Sequence, residues 1–229
     1  MKYEPSRRNL IFRDAPAFLA SLSPTVRLLS AGLVAAGTGA LTSGCDEEND
    51  SQPAPQRYAA LLENYPAFLK NENGVLDYTL VVGNDRADYE AGFDIGMGIQ
   101  RVLGQPIDTK LPEETDLSKR LILVGRPAYL TYGGGDNSLL TELVNTDPDA
   151  VPQLFFDEGL IKVYRHNDMN LLIVTGYGPD QVRNAGKVLS QADAYQALEN
   201  TEFFGKELLV KGTLDNFVLG KRQDQPTDQ

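Results

Sequence analysis

Three segments of this chain repeat one pattern: TLVVGNDRAD (79–88), LILVGRPAY (121–129) and LLIVTGYGPD (171–180). Each is a run of three or four apolar residues that meets a glycine within two positions and then turns polar. An unbroken apolar run of that length, bounded by turn residues, fits a strand covered on both faces. Helical patterns lie between the runs. YEAGFDIGMGIQRVLG (89–104) places Phe93, Met97, Val102 and Leu103 on a roughly helical face, and SLLTELVN (138–145) reads as a short helix with Ser138 as N-cap. PDQVRNAGKVLSQ (179–191) starts on a proline and carries the stripe Val182, Ala185, Val188 and Leu189.

Strands alternating with helices predict an α/β fold. The expected form is three-layer, with a largely parallel sheet of Rossmann-like or flavodoxin-like kind and one antiparallel β-hairpin. The hairpin is GLIKVYRHNDMNLLIVTG (159–176), two β-rich runs around a polar turn. RYAALLENYPAFLK (57–70) reads as a helix broken near Pro66, and KELLVKGT (206–213) as a late strand. The loops that follow the three repeated runs should meet at one sheet edge, where open α/β folds place ligands. They supply the candidate ligand or partner residues: Gly83, Asp85 and Asp88; Arg126, Tyr129, Tyr132, Asp136 and Asn137; Gly176, Tyr177, Gly178 and Asp180.

The N-terminal part differs in kind. Five basic residues precede Cys45, and the uncharged stretch LLSAGLVAAGTGALTSG (28–44) ends at that cysteine. A basic start, a short apolar core and small residues before the junction describe an export signal. Small residues just before Cys45 resemble a lipobox, in which the cysteine becomes lipidated. An uncleaved membrane anchor is the alternative, at the short limit for a span. SRRNLI (6–11) resembles a twin-arginine export motif. The expected organisation is an export signal or anchor over 1–44, a flexible acidic tether over 45–56, an α/β domain over 57–220 and a disordered tail over 221–229. The signal carries net +3 of the chain's −11, which leaves about −14 on the rest. That charge disfavours nucleic acid and anionic lipid as partners of the domain surface.

Little in the sequence carries enzymatic chemistry. Gly176 and Gly178 begin a dinucleotide fingerprint, but the third glycine is missing and Pro179 removes an N–H from the loop. Glycine at that corner then serves a strand-to-helix turn with unusual dihedrals. One His (His166) and one Cys exclude multi-residue zinc sites by count. His166, in a polar turn, reads as solvated. Asp85, Asp88, Glu90 and Asp94 offer carboxylates that suit a cation or simply the helix dipole. No catalytic residue, metal or cofactor is assigned, and the reading is non-enzymatic.

LLIVTGYGPDQVRNAGKVLS (171–190) resembles the strand–Gly-Tyr–helix segment of archaeal S-layer proteins. TLVVGNDRADYEAGFDIGMGI, LILVGRPA, GLIKVY and KELLVKGT resemble further units of that family in the same order, over about residues 76–213. The resemblance implies an envelope-facing α/β module and transfers no catalytic residues. The function expected is that of an exported, lipid-anchored cell-envelope module on the extracellular side. Its partners would be the membrane through its anchor and either other envelope proteins or further copies of itself. The alternative is a surface lipoprotein that binds glycans or small ligands.

Overall fold

The computed structural model describes residues 59–131, 136–197, 205–213 and 216–221. All of them fall within the unit Ser51–Gln229. The expected export signal, Cys45, the tether, Tyr132 and all but the first residue of the expected tail lie outside the described residues.

The repeated apolar runs form strands as their pattern predicts. They are β1 (Thr79–Val82), β3 (Leu121–Val124) and β5 (Met169–Gly176). With β2 (Asp108–Lys110), β4 (Glu158–His166), β6 (Glu207–Thr213) and β7 (Asn216–Gly220) they make one sheet in the order β2-β1-β3-β5-β4-β6-β7. Four helices accompany the described strands: α1 (Arg86–Leu103), α2 (Ser138–Thr146), α3 (Pro179–Ser190) and α4 (Ala192–Ala197). The α/β class is as expected.

The sheet is mixed rather than largely parallel. β1 pairs in parallel with β2 and β3, and β3 with β5. The pairs β5–β4, β4–β6 and β6–β7 are antiparallel. The physical reason is connection length. Only Asn167 and Asp168 separate β4 from β5, both at positive φ (44° and 65°), and a two-residue link of that twist joins antiparallel strands. β6 and β7 are likewise two residues apart.

Alternate residues of the repeated strands face opposite sides, which explains their unbroken hydrophobicity. Leu80, Val82, Ile122, Val124, Leu172 and Val174 pack with Ala91, Ile95 and Ile99 of α1 and with Val182, Ala185 and Val188 of α3. Val81, Leu121, Leu123, Leu171 and Ile173 pack with Leu139, Leu140 and Leu143 of α2. The α3 stripe is buried as its period predicts.

The face assigned to α1 is reversed. Phe93 is 69% exposed, Met97 51% and Val102 43%, while Leu103 is only partly buried. The buried face is Ala87, Asp88, Ala91, Gly92, Ile95, Gly98 and Ile99. Small residues face inward because the backbones come close. A Cβ on Gly92 would sit 2.6 Å from Val82, and one on Gly98 would sit 2.5 Å from the Ser190 carbonyl oxygen. A Cβ on Gly186 of α3 would lie 2.6 Å from Ala91. At such separations only glycine fits, so side-chain size is excluded from the interface. Arg101 completes the contact, donating at 2.7 Å to the Ser190 carbonyl and pairing with Asp193 at 2.9 Å.

Two local expectations also shift. In place of a helix over 57–70 stand two single 3-10 turns, Leu62–Asn64 and Ala67–Leu69, on either side of Pro66. The N-cap of α2 is Asn137 rather than Ser138, and its side chain accepts from the Leu140 N–H.

Candidate functional site

β1, β3 and β5 point their carboxyl ends the same way, so the loops leaving them line one edge. Within that edge the β1 and β3 loops converge most tightly. Asp85 follows β1 as the N-cap of α1, its Oδ1 accepting from the Ala87 N–H at 2.9 Å. Its Oδ2 receives Arg126 Nη2 at 2.9 Å, and Arg126 Nη1 donates to the Leu130 carbonyl at 3.2 Å. The Arg126 side chain is 8% exposed, and its Nε is buried with no hydrogen-bond partner among the described residues.

Asn137 reaches back from α2 to the tips of both strands. Its Nδ2 donates to the Val124 carbonyl at 3.0 Å and lies 3.4 Å from that of Val81, while its Oδ1 caps the helix. One buried amide thus joins β1, β3 and α2. The signal for it was present in sequence: Asn137 directly precedes the first turn, and asparagine caps at least as well as serine.

Asp88 occupies the centre of this group. It lies on the first turn of α1 with no exposed surface, against Gly83, Gly125 and Asn137. A Cβ on Gly83 would collide with Asp88 Oδ2, and one on Gly125 would lie 2.7 Å from the same atom. The glycines that end the first two apolar runs therefore make room for a carboxyl group. Gly125 also needs its glycine for conformation, at φ 134°. Neither Asp88 oxygen has a hydrogen-bond partner among the described residues. Burial first, and the Asp85 charge second, push the Asp88 carboxyl up to about 7, with Arg126 acting in the opposite direction.

The third loop belongs to the same edge, since Gly125 N–H donates to the Val174 carbonyl and Tyr177 N–H to that of Glu158. Its glycines have a different cause from the one expected. Neither Gly176 nor Gly178 has positive φ. They are small because α3 begins directly against them: a Cβ on Gly176 would lie 2.6 Å from Gln181 Cβ, and one on Gly178 2.9 Å from Gln181 Oε1. Gln181 therefore packs closely against both glycines. Asp180 is exposed in the first turn of α3, and Arg183 pairs with Glu90 of α1.

Aromatic side chains stand open around this edge. Tyr129 is 55% exposed, Phe155 57%, Phe156 77% and Tyr177 37%. Phe155 and Phe156 precede β4, beside the Tyr177 loop, and the Glu158 carboxylate holds the Phe155 N–H at 3.0 Å. Sequence reasoning missed both phenylalanines, whose only signal was the short apolar run Leu154–Phe155–Phe156 between Gln153 and Asp157. Asp136 accepts from the Thr141 hydroxyl at 3.0 Å.

Two of the four carboxylates considered for a cation are already paired with arginines. Asp85 holds Arg126, and Glu90 holds Arg86 and Arg183. The Arg86 hydrogen bond, then Arg183, keep the Glu90 carboxyl below its usual range. No group of three or more metal-ligating side chains comes together among the described residues.

His166 lies at the opposite edge, at the end of β4, with Nε2 2.9 Å from Asn167 Nδ2. It lines an open polar cleft of about 940 Å³ with Asp116, Ser118, Glu142, Asp147 and Arg165. Nearby, Tyr164 donates its hydroxyl to Asp147, and burial followed by that contact pushes the phenol up to about 12. A second cleft of about 550 Å³ shares Ser118 and Met169 with the first. No helix among the described residues is long and apolar enough to cross a membrane. No protein-family model matches this chain, and no curated protein sequence matches it.

Proposed function

We propose that this chain is an exported, lipid-tethered module of the cell envelope, non-enzymatic and S-layer-like, which docks other envelope proteins or further copies of itself. The observation that carries this reading is the set of large apolar side chains held in the open. They are Tyr129, Phe155, Phe156 and Tyr177 around the carboxyl edge, and Tyr89, Phe93 and Met97 along the outer side of α1. Apolar surface of this kind marks contact with another macromolecule. The basic start, the small residues before Cys45 and the acidic stretch after it support the tether.

The strand order 2-1-3-5 of the parallel half, with helices against both faces, supports a three-layer, flavodoxin-like reading of the architecture, extended by a β4–β5 hairpin. That fold class hosts many activities, so the functional reading rests on the surface and not on topology.

The test is the intact mass of the native protein from the membrane fraction, beside a Cys45→Ser variant, followed by cross-linking in whole cells. A chain starting at a lipid-modified Cys45 that cross-links to envelope proteins or to itself is the expected result. An unmodified, soluble and strictly monomeric protein would overturn the reading. Binding of glycans, the alternative role for the same aromatics, predicts hits on a glycan array that Phe156→Ala or Tyr177→Ala removes.

A further inference from the structure

Asp85 and Asp88 meet the Arg126 guanidinium at the head of α1, and the hydrogen bonding among these three is incomplete in a particular way. Asp85 is fully engaged, with one oxygen on the Ala87 N–H and the other on Arg126. Asp88, fully buried behind it, has two unpartnered oxygens, and Arg126 has one unpartnered buried donor, Nε. The groups facing Asp88 are Asp85 from its own helix, Arg126 from the loop after β3, the neutral amide of Asn137 from α2, and the two glycines at the strand tips. An ionised carboxylate in that position has one cation within electrostatic reach, and Asp85 already holds it.

We propose that Arg126 is exchanged between Asp85 and Asp88 by a proton: neutral Asp88 leaves the guanidinium on Asp85, and ionised Asp88 takes it through Nε. The proton passes to solvent, and no other bond is made or broken. Arg126 Nη1 also holds the Leu130 carbonyl at 3.2 Å, so the exchange alters the side-chain bonding that ties the segment from Arg126 to Leu130 to the head of α1. The carboxyl edge therefore has two arrangements, selected by pH near neutrality, in keeping with the raised Asp88 carboxyl. A neutral carboxyl with no charge to pair is the cheaper state in acid, and a charged pair the cheaper state in base. The switch does not depend on what the edge binds.

Full-length protein labelled with ¹⁵N and ¹³C tests this by NMR between pH 5 and 9. The Asp88 carboxyl carbon and the Arg126 Nε–H resonance should move with one shared midpoint near neutrality. In Asp88→Asn the Arg126 resonance should stay fixed across the range. Asp85→Asn keeps a capping side chain but removes the competing charge, so it should lower the Asp88 midpoint by about one pH unit or more. An Asp88 midpoint below pH 5 overturns the proposal. So does an Arg126 Nε–H that is indifferent to Asp88 titration, or an Asp88 midpoint that stays or rises in Asp85→Asn.

Discussion

Asp88→Asn should make the protein more resistant to unfolding at pH 8 than the parent, and the advantage should vanish in acid. Asparagine matches the neutral acid in shape and cannot ionise. An Asp carboxyl in an unfolded chain titrates near 3.8, and burial pushes that of Asp88 in the folded protein up to about 7. Between these values the folded state binds one proton more than the unfolded state, so stability falls as pH rises. Three units at 1.36 kcal/mol each set a ceiling of about 4 kcal/mol on the loss. The stability is fully present below about pH 4, declines from there to about pH 7, and is flat above. Movement of Arg126 toward the carboxylate holds the realised loss below the ceiling. Urea unfolding followed by far-ultraviolet circular dichroism, run on both proteins at each pH unit from 4 to 8, measures it. Titrating groups remote from Asp88 act equally in both proteins and cancel in the difference. A difference that stays constant within about 0.5 kcal/mol over that range would falsify the argument, because a carboxyl group this buried cannot ionise without cost.

Two glycines on one helix should respond oppositely. Gly96→Ala, whose Cβ would find its nearest neighbour at 3.6 Å, should stabilise by up to about 1 kcal/mol through helix propensity. Gly98→Ala, aimed at the Ser190 backbone, should destabilise by about 1–3 kcal/mol, read as a lower urea midpoint. Asn137→Ala should cost about 2 kcal/mol by thermal melting, since it removes a cap and two bridges to strand tips, whereas Ser138→Ala should stay within about 0.5 kcal/mol. Phe93→Ser should leave stability nearly unchanged while reducing self-association or partner capture in sedimentation and pull-down assays. Ile95→Ala, two residues away, should cost about 2–5 kcal/mol.

The strands were legible because their signal is local. Three or four consecutive apolar residues with a glycine close behind describe a covered strand whatever surrounds it, and β1, β3 and β5 appear where the pattern put them. β2, built from Asp108, Thr109 and Lys110, has no such signal and exists only because β1 offers it an edge. α1 was legible as a helix but not in orientation. Its bulky residues and its small ones follow the same helical period in opposite directions, and size suggested the wrong side. The choice is made by the backbone of α3, 89 residues further along at Ser190. At the candidate site the convergence of three loops followed from strand direction. The isolation of Asp88 did not, because a residue on the first turn of a helix is usually a solvated partner for the dipole. Only the packing of Gly83, Gly125 and Asn137 around it shows that its oxygens are shut in.

The glycine seam between α1 and α3 also has a mechanical meaning. Side chains give under load by changing rotamer, and a layer of leucines between two helices is a soft joint. Here backbone meets backbone at Gly98 and Gly186, where there is no rotamer to change. A pull on the outer surface of α1 is carried to α3, and from α3 to the sheet, with no compliant layer between them. Such a joint does not creep or repack under strain. It holds its geometry until it parts.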